Sequence, residues 1–226
     1  EIDVLANDTD VDGDDAPENF QVTHLDSILV TGLTVSPSLS SDWFELVNGL
    51  IRFDPGQDFD QLVAGESAWV TVGYTMSDDE SATASASVSI NVHGVNDAPV
   101  LLNLNSSSSE PSLGATDGQV SINGSFFDLD LSDTHTVSVD WGDGSLVEEV
   151  AVDQVADTFG ASHDYATGGV FNVVVEVEDP HGALHSATTK AYVEGVGFVD
   201  GVVYIVGTEH RDHVKVKYRE KQNQLL

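Results

Sequence analysis

Apolar and polar residues alternate with a period of two along much of this chain. In "SATASASVSINV", Ala82, Ala84, Ala86, Val88, Ile90 and Val92 share one face, and Thr83, Ser85, Ser87, Ser89 and Asn91 share the other. Successive side chains of an extended strand point to opposite faces, so this pattern predicts a half-buried β-strand. "VSVDW" places Val137, Val139 and Trp141 on one side, and "FNVVVEVED" does the same for Phe171, Val173, Val175 and Val177. "FELVNGLIRF" is two short apolar runs around Asn48-Gly49, a dipeptide suited to the positive φ angles of a two-residue hairpin turn. Few stretches carry a 3.6-residue repeat. Many short strands punctuated by turn signals predict an all-β protein made of Greek-key β-sandwiches.

Two glycine- or proline-broken junctions divide the pattern. "VHGVNDAPV" (92–100) follows the long alternating strand, and Pro99 is unsuited to a central strand. "YVEGVGFVDG" (192–201) is the second. They predict blocks at 1–97, 98–194 and 195–226, of which the first two are sandwich-sized and the third is too short to fold alone. Polar "NSSSSEPS" (105–112) reads as a surface loop.

Charge sharpens the picture. The 226 residues carry a formal net charge of -32, with 39 acidic residues against seven basic ones. Only Arg52 and Lys190 precede residue 210, and Arg211, Lys215, Lys217, Arg219 and Lys221 crowd the far end. So acidic a body disfavours nucleic acid and anionic membrane as partners and suits divalent cations. The chain has no cysteine, so the fold needs no disulfide. It contains no apolar run of the roughly 18 residues a membrane span requires. The chain is expected to be a piece of a longer protein, with no leader or terminus signal expected at either end.

The acids are clustered. "NDTDVDGDD" places Asp8, Asp10, Asp12, Asp14 and Asp15 in one turn-like stretch. Aspartates at alternate turn positions can aim their oxygens at a common centre, and Ca²⁺ takes six to eight oxygen ligands. "DTDVDG" opens like an EF-hand loop, but Asn19 stands at the twelfth position and the flanks read as strands. Catalytic patterns fare worse. Ser162, His163 and Asp164 are consecutive on a strand and must face alternate sides, and neither a G-x-S-x-G elbow nor an H-E-x-x-H pair is present. The chain is expected not to be an enzyme.

Several motifs resemble known families. "VLANDTDVDGD", "FDPGQDFDQLVAGES", "VTVGYTMSDDES" and the closing "VNDAP" make block one similar to a bacterial cadherin-like repeat of the VCBS type, and the block is expected to lack the strand that precedes the "NDTD" segment in such repeats. "WGDG" (141–144) and "HDYATGGVFNVVVEVED" (163–179) make block two resemble a PKD-type, immunoglobulin-like domain. There Trp141 would be a core aromatic, Gly142-Asp143-Gly144 a tight turn and Tyr165 a tyrosine corner. "VYIVGTEHRDHVKVKY" resembles, more faintly, an RTX-like calcium-binding segment through Gly207, Asp212 and Val214, with Thr208 and His210 where further glycines belong.

The cadherin-like resemblance implies Ca²⁺ at the junctions between domains. A junction site would draw on Asn96 and Asp97 of the linker, on Asp128, Asp130 and Asp133 of "DLDLSD", and on Asp179. An N-terminal site, incomplete in this chain, would use Asp8, Asp10, Asp12 and Asp78. The implied role is a calcium-stiffened structural or adhesive region of a large secreted or cell-surface protein. Its partners would be calcium, neighbouring domains and a surface glycan or protein. The alternative is a polysaccharide- or protein-binding accessory module of a secreted hydrolase, which would require exposed aromatics clustered on one sheet face.

Overall fold

The computed structural model describes residues 1–9, 19–32, 40–199, 201–208, 210–215, 218–219 and 224–225. The fold is all-β, as the alternation predicts, and the chain divides into two compact units. The first comprises Glu1–Asp97 with Leu129–Ser132, and the second Ala98–Asp128 with Asp133–Leu226.

In the first unit, β1 (Gln21–Thr31), β4 (Ser67–Ser77) and β5 (Thr83–His93) form an antiparallel sheet in the order β1-β4-β5, and β2 (Phe44–Val47) pairs with β3 (Leu50–Phe53). Asn48 and Gly49 join β2 to β3 with φ of 52° and 82°, the two left-handed positions of the tight hairpin turn. Ala68, Val70, Val72 and Tyr74 line the inner face of β4 and pack with Trp43, Phe44 and Ile51. On the outer face, hydroxyls pair across strands, Thr71 with Ser89 at 2.8 Å and Thr75 with Ser85 at 3.1 Å. β5 departs from its expected half-burial. Val88, Ile90 and Val92 pack against the core, but Ala84 and Ala86 are exposed. The alternation there marks a face without burying it, because burial needs a facing layer as well as the right phase; Ala68 on β4 has one and is fully buried.

In the second unit, β6 (Val100–Ser106), β7 (Gln119–Phe127), β10 (Val152–Asp153) and β11 (Thr158–Asp164) form one sheet, ordered β10-β11-β7-β6. The other is β13-β12-β8-β9, from β8 (Thr136–Asp140), β9 (Glu148–Val150), β12 (Gly169–Glu178) and β13 (Leu184–Val193). Val120, Ile122 and Phe126 of β7 meet Val137 and Val139 of β8 and Phe171, Val173, Val175 and Val177 of β12 in a single core with Trp141. Val137, Val139, Val173, Val175 and Val177 are each fully buried. Full burial of a valine contributes about 1.5–3 kcal/mol, so this layer is the main source of the unit's stability. Tyr165 donates its hydroxyl to the Trp141 carbonyl at 2.8 Å, the cross-connection its corner position predicts. A hairpin of β14 (Gly195–Val199) and β15 (Val202–Val206) belongs to the same unit, and Val199 packs on the core. Short pairs at β16 (Tyr218–Arg219) and β17 (Gln224–Leu225) complete the described strands.

Candidate metal centre

Two core strands of the second unit end in carboxylates that keep the inward phase. β7 buries alternate residues from Val120 through Phe126, and Asp128 falls on the next inward position. β12 buries Phe171, Val173, Val175 and Val177, and Asp179 continues that series. Because β7 and β12 belong to opposite sheets, their ends bring these two carboxylates together at one end of the sandwich. Asp133, from the loop joining β7 to β8, completes the group. One ligand oxygen from each of Asp128, Asp133 and Asp179 lies within 4.8 Å of the other two.

Each carboxylate is held differently. Asp179 heads the β12–β13 turn, where its Oδ1 accepts the N–H groups of His181 at 2.7 Å and Ala183 at 3.0 Å. Asp128 Oδ2 is 2.9 Å from His135 Nε2, and both side chains are almost fully buried, 3% and 4% exposed. Asp133 has a side chain only 7% exposed, with the more open His181 Nδ1 3.5 Å from Oδ2. That distance is an ion-pair contact, and Oδ2 has no hydrogen-bond donor among the described residues. A buried carboxylate oxygen without a donor is costly unless a cation faces it.

An oxygen-only donor set suits a hard cation. With Ca²⁺–O distances of 2.3–2.6 Å, oxygens on opposite sides of the ion stand about 4.6–5.2 Å apart. The trio therefore spans no more than one Ca²⁺ can bridge. Chemically, the arrangement can hold a divalent ion and gain stability from it.

The other sequence-predicted ligands are not members of this trio. Asp130 belongs to the first unit, is buried, and accepts the backbone N–H of Asp97 at 2.8 Å, which makes it a tether of the linker. Asn96 donates its side-chain amide to the Asp97 carbonyl at 3.0 Å. Neither Asn96, Asp97 nor Asp130 is part of the carboxylate trio. Alternate spacing brings Asp128 and Asp130 to one face only where the chain stays a strand within one unit, and here β7 ends at Phe127. Of the N-terminal set, Asp8 and Asp78 line one cavity of about 200 Å³, and Asp10 and Asp12 lie outside the described residues. Asp78 Oδ1 accepts the Ala82 N–H at 2.8 Å in a turn of its own. Burial, then the charge of Asp8, pushes the Tyr74 hydroxyl above its usual range, so Asp8 is felt inside that unit's core.

Histidines are what sequence reasoning missed. His135 is in phase with Val137 and Val139 on β8, which marks it as inward-facing and is the signal that could have found it. Ser162, His163 and Asp164 serve three different partners. Ser162 meets Ser121 at 2.8 Å, Asp164 accepts from Gln119 at 3.1 Å, and His163 Nε2 is 2.8 Å from Asp143 Oδ2. His163 also stacks on Trp141 at 5.0 Å. Burial works against ionisation of Asp143, but hydrogen bonds from Ser145 and His163 outweigh it and hold this carboxyl at about 2. Past β15, Asp212 turns back to accept from the Thr208 N–H at 2.9 Å and hydroxyl at 3.1 Å. Trp43 and Trp141 are buried, while Trp69 is 49% exposed on the outer face of β4. No helix among the described residues is long and apolar enough to cross a membrane.

The geometry thus defines an all-β protein whose second unit is built of two four-stranded sheets with a carboxylate trio at one end. No protein-family model matches the chain. No curated protein matches it either. Among solved structures, the chain is similar to the PKD1 domain of Vibrio anguillarum Epp, at 23% identity and a TM-score of 0.33, over 44% of this chain and 98% of that one. It is also similar to the fibronectin(III)-like modules of Clostridium thermocellum CbhA, at 13% identity and a TM-score of 0.35, over 76% of each chain.

Proposed function

We propose that this chain is a non-catalytic, calcium-binding structural region of a large extracellular protein. The observation that carries the reading is the convergence of Asp128, Asp133 and Asp179, drawn from both sheets onto one point the size of a Ca²⁺ shell. Three carboxylates so close repel one another without a cation, and the buried Asp133 Oδ2 receives no hydrogen bond among the described residues that would offset this. The overall charge of -32 adds attraction for any cation.

Binding would act through the loop that carries the ligands. Asp128 and Asp133 flank Asp130, which accepts the Asp97 N–H, so an ion that orders this loop also restrains the linker residue tied to it. A stiff linker holds β-modules at fixed spacing, which is the mechanical role an adhesin-like or spacer region performs. Extracellular calcium modules bind with Kd of about 10⁻⁴ to 10⁻³ M, so the ion would be present outside cells and scarce within them.

Calorimetric titration of the chain with Ca²⁺ tests this. The wild type should bind with Kd in the range of about 10⁻⁴ to 10⁻³ M, and Asp128→Ala should abolish the heat of that site. Equal heats from the two proteins, or none from either, would overturn the reading.

A further inference from the structure

The residue that prepares this site is buried behind it. We infer that His135 is a positioning residue, which holds the Asp128 carboxylate in a binding-competent orientation before any ion arrives. The inference rests on the calcium reading above and names what makes that site selective for an ordered, rather than collapsed, geometry.

Three observations support it. First, His135 Nε2 lies 2.9 Å from Asp128 Oδ2, with both side chains sealed from water. Second, His135 Nδ1 is buried and has no hydrogen-bond partner among the described residues. A proton on Nδ1 would leave a buried donor unsatisfied, so the ring carries its proton on Nε2 and donates to Asp128. Third, the ring itself is fixed. Phe126 packs against it at 4.7 Å between centroids. Gln154 grips its backbone from both sides, accepting the His135 N–H at 2.9 Å and donating to the His135 carbonyl at 2.7 Å.

The consequence is directional. His135 occupies one oxygen of Asp128, so the carboxylate plane is set by a rigid neighbour while the trio faces the ion. Without that donor, repulsion from Asp133 and Asp179 would rotate Asp128 out of the group. Hydrogen-bond partners behind metal ligands typically change affinity by about 10- to 100-fold when removed.

The test compares three variants of the full chain. In His135→Gln the amide reaches about as far as Nε2 and can still donate. In His135→Asn it falls one methylene short. In His135→Phe the ring stays and the donor goes. Calorimetric Ca²⁺ titration should show affinity lowered about 10- to 100-fold in H135F and H135N, and within about threefold of wild type in H135Q. Tb³⁺ luminescence lifetimes, which count waters on the bound ion, should show about one more water in H135F and H135N than in wild type or H135Q. The Gln/Asn contrast keeps the comparison decisive should H135F not fold. Wild-type affinity and hydration in H135F or H135N would overturn the role of His135 and leave the calcium site standing. Absence of binding in the wild type would overturn both, and that outcome is separately visible.

Discussion

Replacing Asp133 with Asn should change the sign of its effect on stability according to whether calcium is present. Asp133 suits this test because Asp179 also caps a turn and Asp128 is bonded to His135, whereas Asp133 Oδ2 has no hydrogen-bond donor among the described residues. With separations up to 4.8 Å, each carboxylate pair repels by about 3–4 kcal/mol at an effective dielectric of about 20. Asn removes two such repulsions, and loop relaxation and nearby water reduce the net gain to about 1–2 kcal/mol. His181 loses its ion-pair partner, but it is 37% exposed and that loss is under about 1 kcal/mol. In chelator, Asp133→Asn should therefore melt above wild type by about 3–6 °C. In 10 mM Ca²⁺ the wild type gains about 1.4–2.7 kcal/mol from an ion bound with Kd of 10⁻³ to 10⁻⁴ M. The variant loses most of that gain, so the order of the two melting temperatures should reverse. Thermal unfolding of both proteins in EDTA and in calcium measures it. A variant below wild type by the same margin in both buffers would refute the argument, because Asp133 would then be an ordinary structural residue.

Two further outcomes follow from the second unit. Tyr165→Phe should cost about 1–2 kcal/mol in urea denaturation, because it leaves the buried Trp141 carbonyl without its donor. Asp143 should contribute to the acid limb of stability. Its carboxyl lies at about 2 in the folded protein against an ordinary 3.8. A depressed folded value gives stability that is complete above pH ~4 and is lost as the pH falls through about 2. Unfolding measured from pH 5 to 2 should therefore fall less steeply in Asp143→Asn than in wild type, and parallel curves would remove the role assigned to Asp143.

The strands were legible in the sequence because their signal is local. Alternation at Val137, Val139 and Trp141, and at Phe171 through Val177, needs only the period-two geometry of an extended chain, and these residues form the buried layer. The hairpin at Asn48-Gly49 follows from backbone sterics alone. The same logic overreached on β5, where Ala84 and Ala86 alternate correctly but remain exposed, since burial depends on what the opposite sheet supplies.

Candidate carboxylates were legible as residue types, but their grouping was not. Asp128, Asp130 and Asp133 stand close in sequence, yet Asp130 tethers Asp97 while Asp128 and Asp133 join Asp179. Which oxygens converge is set by where β7 and β12 end on opposing sheets, and that is a property of packing between segments far apart in the chain. His135 shows the same division. The inward phase it shares with Val137 and Val139 was written in the sequence, but its 2.9 Å contact with Asp128 required the segment that follows β7 to pack beside it. The sequence by itself determined the strands, their buried faces and the acidic supply. Only the tertiary structure decided which of those acids share a centre, because like charges gather at one point only when a core strong enough to hold them there has already been built.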